Sequence, residues 1–125
     1  MILNFLLRFH ALLAAAYAFA LLVLPRATIA LLSGEALGEV GAAIARLFGA
    51  ALLLIALIAW GTSRLRDQDA RRLLTAGFFV YAVLGTGIAL VGQLDGTWNA
   101  LGWTTVITYL ILVLGYGYVL VARLE

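Results

Sequence analysis

The sequence predicts an all-α fold: an integral membrane four-helix bundle, up-down-up-down, with both termini cytoplasmic. Four apolar runs carry most of that prediction. They are Phe5–Leu24, Gly41–Trp60, Leu73–Gly92 and Trp98–Ala122. Each approaches the roughly 20 residues that cross a bilayer at about 1.5 Å of rise per residue. Composition agrees, since 66% of the 125 residues are hydrophobic and 11% charged, against roughly 25% charged in a soluble domain. In water so much apolar surface would aggregate. In hydrocarbon the backbone has no partner but itself, so each run must coil into a helix. One transmembrane domain, 1–125, is predicted, with helices at about 5–24, 35–61, 72–92 and 98–122.

The first run follows Arg8, and Ala18-Phe19-Ala20 has the small-x-small form of a signal-peptide cleavage site. The apolar stretch continues through Leu21–Leu24, so a retained helix is expected. Pro25 closes it, because the ring disfavours the α conformation at Leu24. Thr28–Leu32 is a short apolar patch suited to the membrane interface. Ser33 reads as the N-cap of the second helix, with Glu35 in its first turn and the helix running on through Trp60. In the basic turn that follows, Asp67 and Arg71 stand four apart, the spacing of a helical pair worth roughly a few tenths of a kcal/mol. Asp95-Gly96 signals a tight turn before the fourth run.

Arginines set the expected orientation. Arg8, Arg64, Arg66, Arg71, Arg72 and Arg123 fall on one side of a chain that crosses four times, and only Arg26 and Arg46 fall toward the other. The positive-inside bias then places residues 61–72 in the cytoplasm and 25–40 and 93–97 outside the cell's inner membrane. The net charge of +2 is too small and scattered for a nucleic-acid surface. The partners implied are the lipid bilayer and either a second copy or another membrane protein.

Close packing, not apolar burial, brings helices together in lipid, so small residues should mark the contacts. Gly77, Tyr81, Gly85 and Ala89 form one such stripe on the third run. Gly41, Ala45 and Gly49 form another on the second. The first run offers Ala14 and Ala18, with Ala11 and Ala15 alongside. Bundle packing is the principal reading of these stripes; a lipid, pigment or small-molecule groove, or a dimer face, is the alternative. Trp60, Trp98, Tyr116 and Tyr118 fit an aromatic belt at the two interfaces.

Chemistry-bearing residues are few. Arg46 falls about 7 Å inside the apolar edge and should snorkel or pair. Glu39, Asp95, Glu35 and Asn99, with Gln93, are the candidate members of a polar cluster around it. Its simplest role is an ion pair locking the two hairpins; an anion or headgroup site and an ion path are the alternatives. His10 is the single histidine and cysteine is absent, so no thiolate metal site or redox thiol is available, and single-His ligation of a chlorophyll-type magnesium is the alternative role for His10. An interfacial, hydrogen-bonded histidine is expected instead. Thr104, Thr105, Thr108 and Tyr109 form a polar seam whose threonines can bond back to carbonyls of their own helix. No nucleophile–base pair or phosphate-cradling loop is visible. Neither a catalytic role nor a cofactor is predicted.

At Pro25, at Ala45-Arg46-Leu47-Phe48-Gly49-Ala50 and at Asn99-Ala100-Leu101-Gly102-Trp103, the chain resembles small uncharacterised four-helix bacterial inner-membrane proteins. That resemblance implies a bacterial inner-membrane bundle and brings no reaction or ligand with it. Two functions lead, ahead of an integral membrane enzyme acting on lipid through the outer Glu/Asp/Arg set. One is a structural or accessory subunit, or a homo-oligomeric bundle. The other is a small oligomeric transporter or channel built on the Arg/Asp/Glu cluster. Against the second, no acidic residue lies deep in a run and no proline breaks one.

Overall fold

The computed structural model describes residues 2–35 and 37–122, and every regular element among them is helical. In chain order these are α1 (Ile2–Val23), α2 (Pro25–Ser33), α3 (Glu39–Thr62), α4 (Gln68–Leu94), a single 3₁₀ turn (Ala100–Gly102) and α5 (Trp103–Ala122). Four segments, α1, α3, α4 and Ala100–Ala122, are long and apolar enough to cross a membrane. Their outward faces are apolar too: Phe5, Val40, Leu47, Leu73, Ile88 and Val121 are all more than 70% exposed. Such faces are stable against acyl chains and not against water.

Pro25 does end α1, and it also begins α2. Its missing N–H is no loss at the first helical position, where that group has no intrahelical partner. The expected interfacial patch is therefore a helix in its own right. Ser33 is a correction. It does not cap the second long helix but finishes α2, its hydroxyl donating back to the Ile29 carbonyl at 2.9 Å. Gly34 follows at φ 77°, the left-handed conformation that closes a helix and that glycine adopts without strain. The long helix starts only at Glu39, with Gly38 at its N-cap. Asp67 and Arg71 also differ from expectation. The Asp67 carboxylate caps α4, accepting from the Asp69 and Ala70 amides at 2.9 and 3.2 Å.

Arg71 instead turns inward. Only 4% exposed, its guanidinium donates to the Thr62 and Leu65 carbonyls at 3.0 and 3.3 Å and to Asn4 Oδ1 at 3.0 Å. The Thr62 carbonyl at the end of α3, which has no partner in its own helix, and the Leu65 carbonyl of the turn are bonded this way. The same side chain ties the start of α1 to the α3–α4 turn. On the surface nearby, the Arg8 and Arg64 guanidinium groups sit 5.7 and 5.8 Å from the Trp60 ring.

α3 buries Ala42, Ala45, Gly49, Leu52, Ala56 and Ala59, alternately three and four positions apart, and so presents one narrow seam of mostly small side chains. α1 answers with Leu7, Ala11, Ala14, Ala18 and Leu21. The two backbones approach closely: a Cβ on Gly49 would stand 3.1 Å from the Ala18 carbonyl oxygen and 3.1 Å from Leu21 Cβ. α4 and α5 form the second pair. Gly85 lies against the Tyr109 ring, Gly92 against the Trp98 indole and Gly117 against Phe79. The two pairs join at one end only. There Leu3, Leu6, Leu7, Ala59, Phe78, Ala82, Leu112, Tyr116 and Val119 make a core from all four long helices. Toward α2 the buried cluster shrinks to Ala18, Leu21, Ala45 and Leu52, from α1 and α3 alone.

Of the small residues expected at contacts, Gly49, Ala45, Gly85 and Ala89 face neighbours or the interior. Gly77 is exposed, with nothing within 4 Å of where its Cβ would be. Gly49→Leu should therefore wedge α1 from α3 and destabilise the bundle by about 1–3 kcal/mol, as overpacking does. Gly77→Leu should leave stability unchanged. Unfolding both variants by titration from mild micelles into SDS, followed by circular dichroism, checks the contrast.

Candidate functional site

Where the two helix pairs diverge they leave a cavity of about 500 Å³. Its walls come from α1 (His10, Leu13, Ala14, Tyr17, Leu21), α3 (Phe48, Leu52), α4 (Tyr81, Leu84, Gly85, Ile88, Ala89) and α5 (Thr105, Thr108, Tyr109, Leu112). Thr28, Ile29 and Leu32 of α2 roof it, beside Trp98. The size falls within the range of sites that enclose small organic ligands. Phe48 of α3 and Leu84 and Ile88 of α4 line the cavity yet are 45%, 61% and 73% exposed. They mark a mouth between α3 and α4, on the apolar flank of the bundle.

The roof is held by polar contacts. The Asn99 amide N–H donates to the Leu32 carbonyl at 2.7 Å, and its side-chain Nδ2 to the Leu31 carbonyl at 2.9 Å. Those carbonyls lie in the last turn of α2, where intrahelical partners run out. Asn99 Oδ1 meanwhile accepts from the Leu101 amide, and the Asn99 carbonyl accepts from Gln93 Nε2 at 2.9 Å. The Thr28 hydroxyl bonds back across the α1–α2 junction, to the Leu24 carbonyl at 2.7 Å and the Ala20 carbonyl of α1 at 3.2 Å.

At the opposite end the cavity floor is aromatic and polar. His10 is 3% exposed, and its Nδ1 shares a 2.8 Å hydrogen bond with the Tyr116 hydroxyl. Its ring meets Phe78 edge-on at 5.2 Å and lies nearly parallel to Tyr81 at 6.2 Å. Tyr81 and Tyr109 share a hydroxyl–hydroxyl bond, also 2.8 Å. His10 is hydrogen-bonded as expected, and it sits inside the helix bundle. One expectation is overturned: Tyr116 does not belong to an outward-facing aromatic belt, being wholly buried. Tyr118, 54% exposed, remains on the surface.

The expected polar cluster is not drawn together around Arg46. Arg46, Glu39, Glu35 and Asp95 are exposed, and among the described residues no ion pair joins Arg46 to any of the three acids. Asp95 is occupied locally: Thr97 donates to its Oδ1 through the hydroxyl at 2.6 Å and the amide at 3.0 Å. Those bonds hold its carboxyl below the usual aspartate pKa. Asn99 alone of the set reaches across the fold, and it reaches α2. Thr104 and Thr108 bond back to the Leu101 and Thr104 carbonyls, as their helical setting suggested. Thr105 and Tyr109 turn to the cavity.

Sequence reasoning had no means of pairing His10 with a tyrosine 106 positions away. A usable signal was present on α5, where Thr105, Tyr109, Leu112 and Tyr116 recur at helical spacing on one face. No family model, curated protein or solved structure matches this chain, so the site stands on its geometry.

The His10–Tyr116 bond should behave as a buried pair. His10→Phe leaves the Tyr116 hydroxyl without a partner and should cost about 1–3 kcal/mol of stability. Adding Tyr116→Phe should recover part of that loss, since two apolar rings leave nothing unsatisfied. The double-mutant cycle, read by SDS unfolding, measures the coupling.

Proposed function

We propose that this chain is a small multi-pass protein of the bacterial inner membrane that holds a lipophilic molecule within its bundle, serving as an accessory or homo-oligomeric membrane subunit. The cavity between the two helix pairs carries this reading. It is walled by apolar side chains and has a polar floor, and its mouth lies on a flank that acyl chains would cover. A molecule dissolved in the bilayer could enter sideways without crossing a polar surface. The transporter reading has less support. Arg46 is exposed instead of lining the cavity, and the described acidic residues lie at helix ends or in turns.

In the proposed arrangement the chain crosses four times, up-down-up-down, with both termini and the Arg64–Asp67 turn in the cytoplasm. α2 and the Asp95–Asn99 turn then lie at the outer interface. Arginine placement supports this orientation. Because cysteine is absent, single introduced cysteines report it cleanly. Thr97→Cys should react with an impermeant maleimide on intact cells, and Arg66→Cys only after lysis. The reverse pattern would invert the topology.

Native mass spectrometry of the protein released from mild detergent tests the binding reading. A small lipophile should accompany the wild type, and Ala14→Phe, which puts a ring into the cavity wall, should lose it. If the wild type carries no adduct, or Ala14→Phe carries the same one, the cavity is not a binding site.

A further inference from the structure

The occupant's chemistry is legible in the protons that the cavity floor leaves unspent, an inference that rests on the binding reading above. Tyr116 is completely buried, and its hydroxyl has one partner among the described residues, His10 Nδ1. If Nδ1 carried the ring proton and donated, the Tyr116 O–H would point at no acceptor in a dry core, an expensive arrangement. The arrangement without an orphan has Tyr116 donating to Nδ1. The imidazole proton then sits on Nε2, so His10, which lines the cavity, offers an N–H that no described residue accepts.

The Tyr81–Tyr109 hydroxyl pair behaves likewise. Whichever of Tyr81 and Tyr109 donates in their shared bond, the acceptor keeps its own O–H. No described group accepts that proton either, and both rings line the same cavity. His10 and Tyr81 are 6.2 Å apart between ring centres, and Tyr81 and Tyr109 are 5.6 Å apart. The floor of a mostly apolar chamber, with Tyr17, Thr105 and Thr108 among its other wall residues, therefore presents two donors in neighbouring rings. A saturated acyl chain or a pure hydrocarbon would leave both unsatisfied. An oxygen with two lone pairs on a flat, apolar frame would satisfy both.

Depth narrows the choice. α1 is 22 residues, about 33 Å long, and His10 lies about 12 Å along it. Tyr81 stands at the middle of α4. The donors thus lie within the helical span, His10 two residues past Arg8 and Tyr81 midway along α4, and not at a helix end. We propose that the cavity binds a carbonyl-bearing lipophile of the quinone or ketone class, with its carbonyl oxygen taken by His10 Nε2–H and the free hydroxyl of the Tyr81–Tyr109 pair.

The test uses the full chain in nanodiscs of ether-linked phosphatidylcholine, which has no ester carbonyl. Decylubiquinone is titrated in and quenching of tryptophan emission is followed, Trp98 being a wall residue. A Trp98→Phe variant identifies the part of the signal that belongs to the cavity. Saturable quenching is expected, with decylbenzene competing about tenfold less well or worse. His10→Phe should weaken the quinone about tenfold, as should Tyr81→Phe with Tyr109→Phe together. Either tyrosine change alone should matter little, because the surviving hydroxyl keeps its proton. Equal affinity for decylbenzene and quinone, or unaltered quinone affinity in both His10→Phe and the double tyrosine variant, overturns the carbonyl assignment while leaving the cavity a binding site. Ala14→Phe and Thr105→Phe narrow the chamber from opposite walls; if neither lowers binding of either probe, the binding reading itself fails. Loss of quinone binding on changing to ester-linked lipid would keep the carbonyl chemistry and overturn the quinone or ketone source in favour of a glycerolipid ester.

Discussion

Close contact between α1 and α3 is the constraint from which the rest of the fold follows. Lipid gives no apolar driving force between helices, so association depends on how near two backbones can come. The alanine and glycine seam of α3 lets α1 lie directly on it, at Gly49 almost backbone to side chain. α4 and α5 make their own pair, but with rings instead of methyl groups between them: Tyr109 on Gly85, Trp98 on Gly92, Phe79 on Gly117. A tight pair and a ring-spaced pair fit each other along one half of their length. Leu3, Leu7, Phe78, Leu112 and Tyr116 fill that half. In the other half the pairs separate, and the cavity is the space between them.

Polar groups are placed according to this division. At the packed end, Arg71 bonds the last carbonyl of α3 and the Leu65 carbonyl of the following turn, and reaches Asn4. At the divergent end, Asn99 does the equivalent work for α2. Between them lie the His10–Tyr116 and Tyr81–Tyr109 bonds, each placing a hydrogen-bonded pair in surroundings with no water to compete. A polar group so deep in a membrane protein is costly unless paired, and each of these four side chains is paired once. What they hold in reserve faces the cavity.

How much of this could be read in the sequence depended on range. The four apolar runs specify the long helices directly, because hydrocarbon leaves the backbone no other conformation. Ala45, Gly49, Gly85 and Ala89 were visible as small residues at helical spacing, and the structure puts neighbours or the interior beside each of them. Gly77 shared the spacing but faces outward, since periodicity alone does not fix where a stripe stops. Ser33 was ambiguous for a chemical reason: its hydroxyl can serve a helix start or bond back at a helix end, and the glycine after it decided for the end. The charged cluster around Arg46 was inferred from nearness in sequence and shared depth. Asp95 and Asn99 found partners within a few residues or on α2 instead. The cavity floor could not be foreseen, because it depends on α1, α4 and α5 meeting at one level.

α2 gives the bundle an uneven mechanical character. Only Pro25 is buried in it, and its far end hangs from the Asn99 backbone and side chain. The floor beneath belongs to the shared core and can shift only if four helices shift. Thermal fluctuation will therefore be concentrated at the ceiling of the chamber, where a few polar links can break and re-form singly. Residence of a guest would then be governed by hinge-like breathing of one short helix, with the histidine and tyrosines below it held as a fixed template.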